Sequence, residues 1–409
     1  MKTIHLVRHA QTEQNKNKIW QGHSSSELNK VGIEQSKLLF KRLKSKNNIV
    51  ISSDLPRAIE TANYISKSVQ TRKELREINV GDFSGKSVET TYTKNKNIFN
   101  FLTDDSYTFP NGESVKDFKN RVNDEIEYLF QQTKENTEIF VVTHGFFIGT
   151  VIGLVMGLNN YPFPIGDIQN TSITSIIKRD SIVQINKFND ALHLSSFDED
   201  NPAKNYKSAI TFLRHGQTDS NVLGVWQGKI DNSLNKNGIN GAKLLSNKFT
   251  NYDLYISSPS KRAIETLELT INRSSNITSE NLSEINLGLW EGMKTSEILD
   301  TYKNDFVDAL FINANSKYGL IGESILEAGL RVKKLISKYK DKNLFLVSHG
   351  GTIKGAITVL LDVPIAKAAS AFTISNNLGV STLVPTDNKY YLWSYNVGNL
   401  GYENINYNK

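Results

Sequence analysis

The chain has 409 residues, a formal net charge of +6 and no cysteine, which excludes disulfides, zinc-thiolate centres and cysteine nucleophiles. Its length suits two average domains, each able to close its own core. The positive charge is spread over scattered lysines, densest at residues 41–46; with no basic-and-aromatic module to read bases, nucleic acid is not expected as a partner.

Residues 4–7 read as a short buried strand that runs straight into Arg8-His9. That start leaves no room for a cleaved apolar leader, so a cytoplasmic location is expected. Apolar residues at helical spacing predict a helix over 27–43, whose solvated end is the basic run. A strand over 49–51 follows, then a helix carrying Arg57-Ala58-Ile59-Glu60-Thr61, then Glu77 and Gly112-Glu113-Ser114. A branched, apolar strand over 139–142 ends at His144. Residues 146–158 are uncharged, but 13 residues fall short of the roughly 20 that a membrane span needs, so a buried helix is predicted and no membrane partner.

The same order then returns. Arg214-His215, Trp226-Gln227-Gly228, Arg262-Ala263-Ile264-Glu265-Thr266, Glu284, Gly322-Glu323-Ser324 and His349 match the first half at offsets between 205 and 210. A period this long, present twice, means a duplicated domain, because solenoid repeats run at roughly 20 to 50 residues. Strands are predicted over 209–213, 254–256 and 344–347, with a helix over 233–248. Strands separated by helices give the class α/β: two tandem three-layer α/β/α domains, each with a mostly parallel sheet covered by helices on both faces. The domains are expected over 1–197 and 208–409, joined by a polar, proline-bearing connector over 198–207. Ligands of such sheets collect outside the carboxyl ends of the strands, where both histidines of each half would converge.

Arginine forks match the geometry of phosphate oxygens, and Arg8 with Arg57, and Arg214 with Arg262, supply two per half. A neutral imidazole can attack phosphorus and split one displacement into two, which is the role expected of His9 and His215. His144 and His349, protonated among the phosphate oxygens, would add charge. One carboxyl can protonate the leaving alkoxide and then activate water; Glu77 and Glu284 are the candidates. No metal and no cofactor are called for. Glu60 and Glu265 read as helix-positioning groups, Glu113 and Glu323 as part of a structural corner, and His5 as packing.

With these residues in place, both halves resemble the histidine phosphatase superfamily, also called phosphoglycerate mutase-like. Its pattern of a strand ending in Arg-His-Gly-x-Thr-x-x-Asn is matched by Arg214-His215-Gly216-Gln217-Thr218-Asp219-Ser220-Asn221 and, with alanine for glycine, by Arg8-His9-Ala10-Gln11-Thr12-Glu13-Gln14-Asn15. The resemblance implies that Asn15 and Asn221 join the phosphate site, and that Gln21, Gln227, Thr12 and Thr218 face the substrate, with His23 beside them. It further implies a metal-independent phosphatase acting on a small phosphorylated metabolite through a phosphohistidine. A phosphomutase, or a half that only binds a phosphorylated ligand, is the alternative, and pairing of the two halves is left open.

The first half departs from the pattern at Ala10, which places a methyl group next to the phosphate pocket, and at Phe146, where the second half has Gly351. Substrate choice is expected from residues 86–112 and 293–322. Neither stretch contains arginine, and both are rich in aromatics: Tyr92, Phe99, Phe101, Tyr107 and Phe109 in one, Tyr302, Phe306, Phe311 and Tyr318 in the other. These are read as a small core under a lid.

Overall fold

In the computed structural model, which describes residues 1–43, 49–94, 101, 104–158, 165–194, 202–272, 277–386 and 389–398, the chain divides into two units, Met1–Leu194 and Ser195–Lys409. Phe99, residues 44–46 of the basic run and residues 198–201 of the expected connector lie outside the described residues.

The first unit is built on β1 (Lys2–Arg8), β2 (Ile49–Ser53), β3 (Val69–Arg72), β4 (Glu138–Thr143), β5 (Ile173–Arg179) and β6 (Ile182–Asp190), in the sheet order β3-β2-β4-β1-β5-β6. The second repeats it with β7 (Ile210–Arg214), β8 (Leu254–Ser257), β9 (Ile277–Thr278), β10 (Leu344–Ser348), β11 (Val380–Pro385) and β12 (Tyr390–Val397), in the order β9-β8-β10-β7-β11-β12. In each unit the first four strands of that order are parallel, and the last two add antiparallel pairs. Each sheet is mixed and mostly parallel, with helices on both sides.

Alternation along the strands explains the core. Val7, Val50, Phe140 and Val142 meet Leu39, Leu43, Ala58 and Ala62 of the helices Lys30–Leu43 and Pro56–Ile65. Leu213, Phe345 and Val347 meet Ala242, Ala263 and Leu267 in the second unit. At about 1.5 to 3 kcal/mol for each large aliphatic or phenyl side chain taken out of water, these layers hold the parallel strands in register. The carboxyl ends of β1, β2 and β4, and of β7, β8 and β10, therefore present Arg8, Ser53, Thr143 and Arg214, Ser257, Ser348 at one edge of each sheet.

Three expectations are corrected. The first long helix starts at Lys30 rather than 27, because the Asn29 side chain accepts the Gly32 N–H at 2.8 Å and the Leu28 N–H is held by Glu60. Its counterpart, Lys236–Leu244, is shorter than 233–248, since the Asn235 side chain caps Gly238 N–H at 2.9 Å. The connector is not solvated at Pro202 and Ala203: both are buried, and Asn343 donates to the Ala203 carbonyl at 2.9 Å while accepting from Ala209 N–H at 2.9 Å. Among the described residues, no helix is long and apolar enough to cross a membrane.

Candidate active sites

β1 delivers Arg8 and His9 to the sheet edge, and β4 delivers His144, whose ring centroid stands 5.1 Å from that of His9. His9 Nδ1 lies 2.8 Å from the Ala10 carbonyl, an acceptor only, so the proton sits on Nδ1 and the lone pair on Nε2. Arg57 Nε–H donates to that Nε2 at 3.2 Å. Burial, then Arg57 and Arg8, hold the His9 imidazole well below its ordinary pKa. A neutral ring whose Nε2 lone pair is held by a single hydrogen bond can act as a nucleophile once that bond is released.

His144 is fully buried and donates or accepts through Nε2 with Ser53 Oγ at 2.9 Å, while its Nδ1 has no partner among the described residues. Burial, then Arg57, His9 and Arg8, push its pKa well down. The protein alone therefore holds this histidine neutral; the expected protonated form belongs to the phosphate-bound site. Burial first and positive neighbours second keep it neutral, and an anion set among them would act in the opposite direction.

Arg57 is nearly fully buried, and burial lowers its guanidinium to about 10. It is aimed by the carbonyls of Gly22 at 2.8 Å and Ser24 at 3.1 Å. Gly22 has φ +48°, and a Cβ there would meet Val80 Cγ2 at 2.7 Å, so this turn requires glycine. Arg8 donates to the Ile168 carbonyl, and its Nε has no partner among the described residues. Glu77 is clamped by three N–H groups, from Ile78 at 3.1 Å and from Phe146 and Phe147 at 3.1 and 3.2 Å. The last two begin the helix Gly145–Val155. Burial outweighs these donors and the two arginines and raises the carboxyl above its ordinary pKa.

The second unit repeats the plan. His215 Nδ1 faces the Gly216 carbonyl at 2.7 Å, the His215 and His349 rings stand 5.1 Å apart, and His349 Nε2 meets Ser258 Oγ at 2.8 Å. Arg214 donates to the Ser375 carbonyl, and Arg262 to those of Ile230 at 2.8 Å and Gly228 at 3.0 Å. Here Arg262 Nη2 lies against His349 Nδ1 at 3.2 Å. Burial, then the arginines, push His215 well below its ordinary pKa; for His349 burial and Arg262 lead. Glu284 accepts from Ile285 N–H at 2.9 Å and from Thr352 N–H at 3.1 Å and hydroxyl at 3.2 Å.

A family profile described as the histidine phosphatase superfamily (branch 1) matches residues 4–191 and again 210–398. The chain belongs to that superfamily. Among curated relatives, "Putative phosphoserine phosphatase 2" of Hydrogenobacter thermophilus is 32% identical over 46% of this chain and 96% of its own. "Probable phosphoglycerate mutase GpmB" of Proteus mirabilis is 30% identical over 43% of this chain and 85% of its own. Among solved structures, a mutant phosphoserine phosphatase of Entamoeba histolytica in complex with phosphoserine is 28% identical, with a TM-score of 0.44, over 48% of this chain and 100% of that one.

Within this member of the histidine phosphatase superfamily, the remaining candidates fall into supporting positions. Thr12 and Thr218 are fully buried caps of short helices, boxed with Asn15 and Asn221 and donating to Gln21 and Gln227 at 3.1 Å. They therefore fix the two amides instead of facing a substrate. The His23 ring is turned to the Glu77 carbonyl at 2.8 Å. His5 stacks on Phe140, and Glu60 and Glu265 hold Leu28 and Leu234 N–H. A Cβ at Gly216 would have Gly238 O and Leu234 Cδ2 as its nearest atoms. The methyl of Ala10, at the equivalent position, is expected on that same helix-facing side.

Sequence reasoning assigned no role to four pairs. Ser53 and Ser258 orient the second histidine, and Thr61 and Thr266 hold the N–H after the nucleophile at 2.9 Å. Asn170 and Asn377 bond the carbonyls of His9 and His215 at 2.8 and 2.9 Å. Arg121 and Arg331 tie Glu113 and Glu323 to the carbonyls around the acid. All four recur at the repeat offset, the signal that could have found them.

Proposed function

We propose that each unit is a metal-independent phosphatase that hydrolyses small phosphomonoesters through a phosphohistidine. The observation that carries this reading is the proton on Nδ1 of His9 and His215, held by a backbone carbonyl, which leaves Nε2 of each as the nucleophile. Nε2 attacks phosphorus as the ester P–O bond breaks, and the departing alkoxide takes a proton from Glu77 or Glu284. The carboxylate so formed removes a proton from water, whose oxygen attacks phosphorus while the P–N bond breaks. Inorganic phosphate leaves with histidine and acid restored. Arg8, Arg57 and His144, with their counterparts Arg214, Arg262 and His349, hold the oxygens, and Asn15 and Asn221 contribute side-chain amides whose carbonyls are already engaged by Thr12 and Thr218.

A buried, clamped carboxyl supports turnover over simple retention, since binding phosphate requires no proton donor. A mutase would use the same phosphohistidine but return the group to substrate; the absence of arginine from residues 86–112 and 293–322 favours hydrolysis. The test is phosphate release across a panel of phosphomonoesters in chelator, with acid-labile, base-stable labelling of the chain in rapid quench. Isomerised ester without free phosphate would move the assignment to a mutase; bound ester without either product would reduce the units to phospho-ligand receptors.

A further inference from the structure

Phe146 is the second residue of the helix Gly145–Val155, and its own N–H is one of the three that clamp Glu77, at 3.1 Å from Oε2. Its side chain therefore starts beside the carboxyl assigned to the leaving oxygen. At the equivalent Gly351, a Cβ would stand 3.0 Å from Glu284 Oε1. The alcohol of an ester is bonded to that same oxygen, so a ring projecting from position 146 lies within reach of the leaving group.

This ring belongs to a cluster with a covered side and an open one. Phe146 stacks on Trp20 with centroids 6.4 Å and planes 28° apart, and stands 5.7 Å from Phe101. Trp20 is edge-on to Phe101 at 6.0 Å and to Phe109 at 6.3 Å. Phe101 and Phe109 are 5% and 0% exposed, whereas Phe146 and Trp20 are half-buried. The covered rings form a floor, and the stacked pair keeps apolar surface open to solvent. Trp20 is also fixed to the phosphate side of the site: its backbone bonds Lys86 O at 2.9 Å and Gly85 N–H at 2.8 Å, and two residues on the Gly22 carbonyl aims Arg57 at 2.8 Å.

Packing accounts for the covered rings but does not require Phe146. The second unit builds its own cluster around Trp226, with Trp290 at 6.1 Å, Phe306 at 5.6 Å and Tyr318 at 6.3 Å, and has Gly351 where Phe146 stands in the first. A half-open phenyl ring, tied through its own backbone to the acid, is a feature of the first unit's reaction centre.

We infer that Phe146, backed by Trp20, selects for the first unit phosphomonoesters whose leaving alcohol carries an aromatic ring, which packs on Phe146 while its oxygen takes the proton of Glu77. This rests on the phosphatase reading of that unit and narrows its substrate class. A planar ring gains on two counts: the apolar area it removes from water, and the offset or edge-on contacts that ring pairs favour.

The experiment uses the full chain with His215→Ala, which silences the second unit, and three esters: benzyl phosphate, cyclohexylmethyl phosphate, which is of similar size but has no π-face, and glycerol 3-phosphate. Benzyl phosphate is expected to exceed glycerol 3-phosphate in kcat/KM by about tenfold or more, and cyclohexylmethyl phosphate by roughly threefold to tenfold. Adding Phe146→Leu, which keeps an apolar side chain but removes the ring, is expected to bring the benzyl-to-cyclohexylmethyl ratio towards unity, and Phe146→Tyr to retain most of it. Either ratio near unity in the His215→Ala chain overturns the inference whether or not the Phe146 variants fold, as does a benzyl-to-cyclohexylmethyl ratio that Phe146→Leu leaves intact. If the His215→Ala chain releases phosphate from none of the three nor from any other ester in the panel, the phosphatase reading of the first unit fails first and takes the inference with it. Turnover of the three esters at equal rates sinks the inference alone.

Discussion

Arg57 reaches the nucleophilic nitrogen of His9 with its Nε at 3.2 Å, whereas Arg262 reaches Nδ1 of His349 with its Nη2 at 3.2 Å. The same guanidinium, fixed by equivalent carbonyls in the two units, thus contacts the attacking ring in one and the anion-facing ring in the other. Arg57 must release Nε2 before it can attack. Each arginine is also anchored by two carbonyls, so release of Nε2 gives up one charge-assisted hydrogen bond, about 1.5 to 3 kcal/mol.

Removal of the two nucleophiles separates the units. His9→Ala and His215→Ala should each abolish turnover of one group of esters, and the double variant should lose roughly a thousandfold or more of total phosphate release. Single variants with the same substrate profile at half the rate would show that the units are redundant.

The pH profile of the first unit, measured in the His215→Ala chain, should be set by groups displaced in opposite directions. His9 must enter neutral, so kcat/KM falls as pH drops through its pKa, which burial and the arginines hold well below the imidazole range. Glu77 must enter protonated, so kcat/KM falls as pH rises through its pKa, which burial holds above the ordinary carboxyl value. Glu77→Gln should remove the alkaline limb and lower kcat/KM for alkyl esters by roughly a hundredfold to ten-thousandfold. An activated aryl ester, whose leaving group needs no proton, should be nearly indifferent to that change.

Ser53→Ala and Ser258→Ala remove the partner of a fully buried imidazole nitrogen. Each should cost about 1 kcal/mol of stability in a thermal melt and roughly tenfold in kcat/KM for its own unit, because the ring loses the contact that orients it. An unchanged rate with an unchanged melt would mean that packing alone holds the histidine.

Exchange at the helix start should be asymmetric. Gly351→Phe brings a Cβ to 2.9 Å from Ile285 Cδ1 and 3.0 Å from Glu284 Oε1, and should inactivate the second unit. Phe146→Gly opens the ring cluster of Trp20 and Phe101 and should widen the ester range of the first while it stays active. Assays with esters of graded size, in chains carrying one functional nucleophile, would show it.

Much of this arrangement is legible from the chain. Arg8-His9 and His144 each follow an apolar run, and parallel strands bring such junctions to one edge, which is why residues 135 positions apart meet with ring centroids at 5.1 Å. The closing strands β5, β6, β11 and β12 were less legible, because their alternation is interrupted: Asn189 and Asn396 take positive φ and the registers shift. Supporting contacts such as Ser53 to His144, or Arg121 to the carbonyls of Glu74 and Arg76, depend on side-chain direction that spacing does not encode. The state of the second histidine in the protein alone was not legible for a related reason: sequence shows which cations are present, not that the imidazole is fully buried, and burial is the larger cause of its lowered pKa.

The two histidine pairs share one separation and nearly one tilt, 59° and 60°, although Phe146 and Phe109 stand in one unit where Gly351 and Tyr318 stand in the other. Each half is therefore an internal standard for its neighbour. Temperature and ionic strength are shared by both reaction centres in a single tube, so a contrast between them reports on what surrounds the histidines.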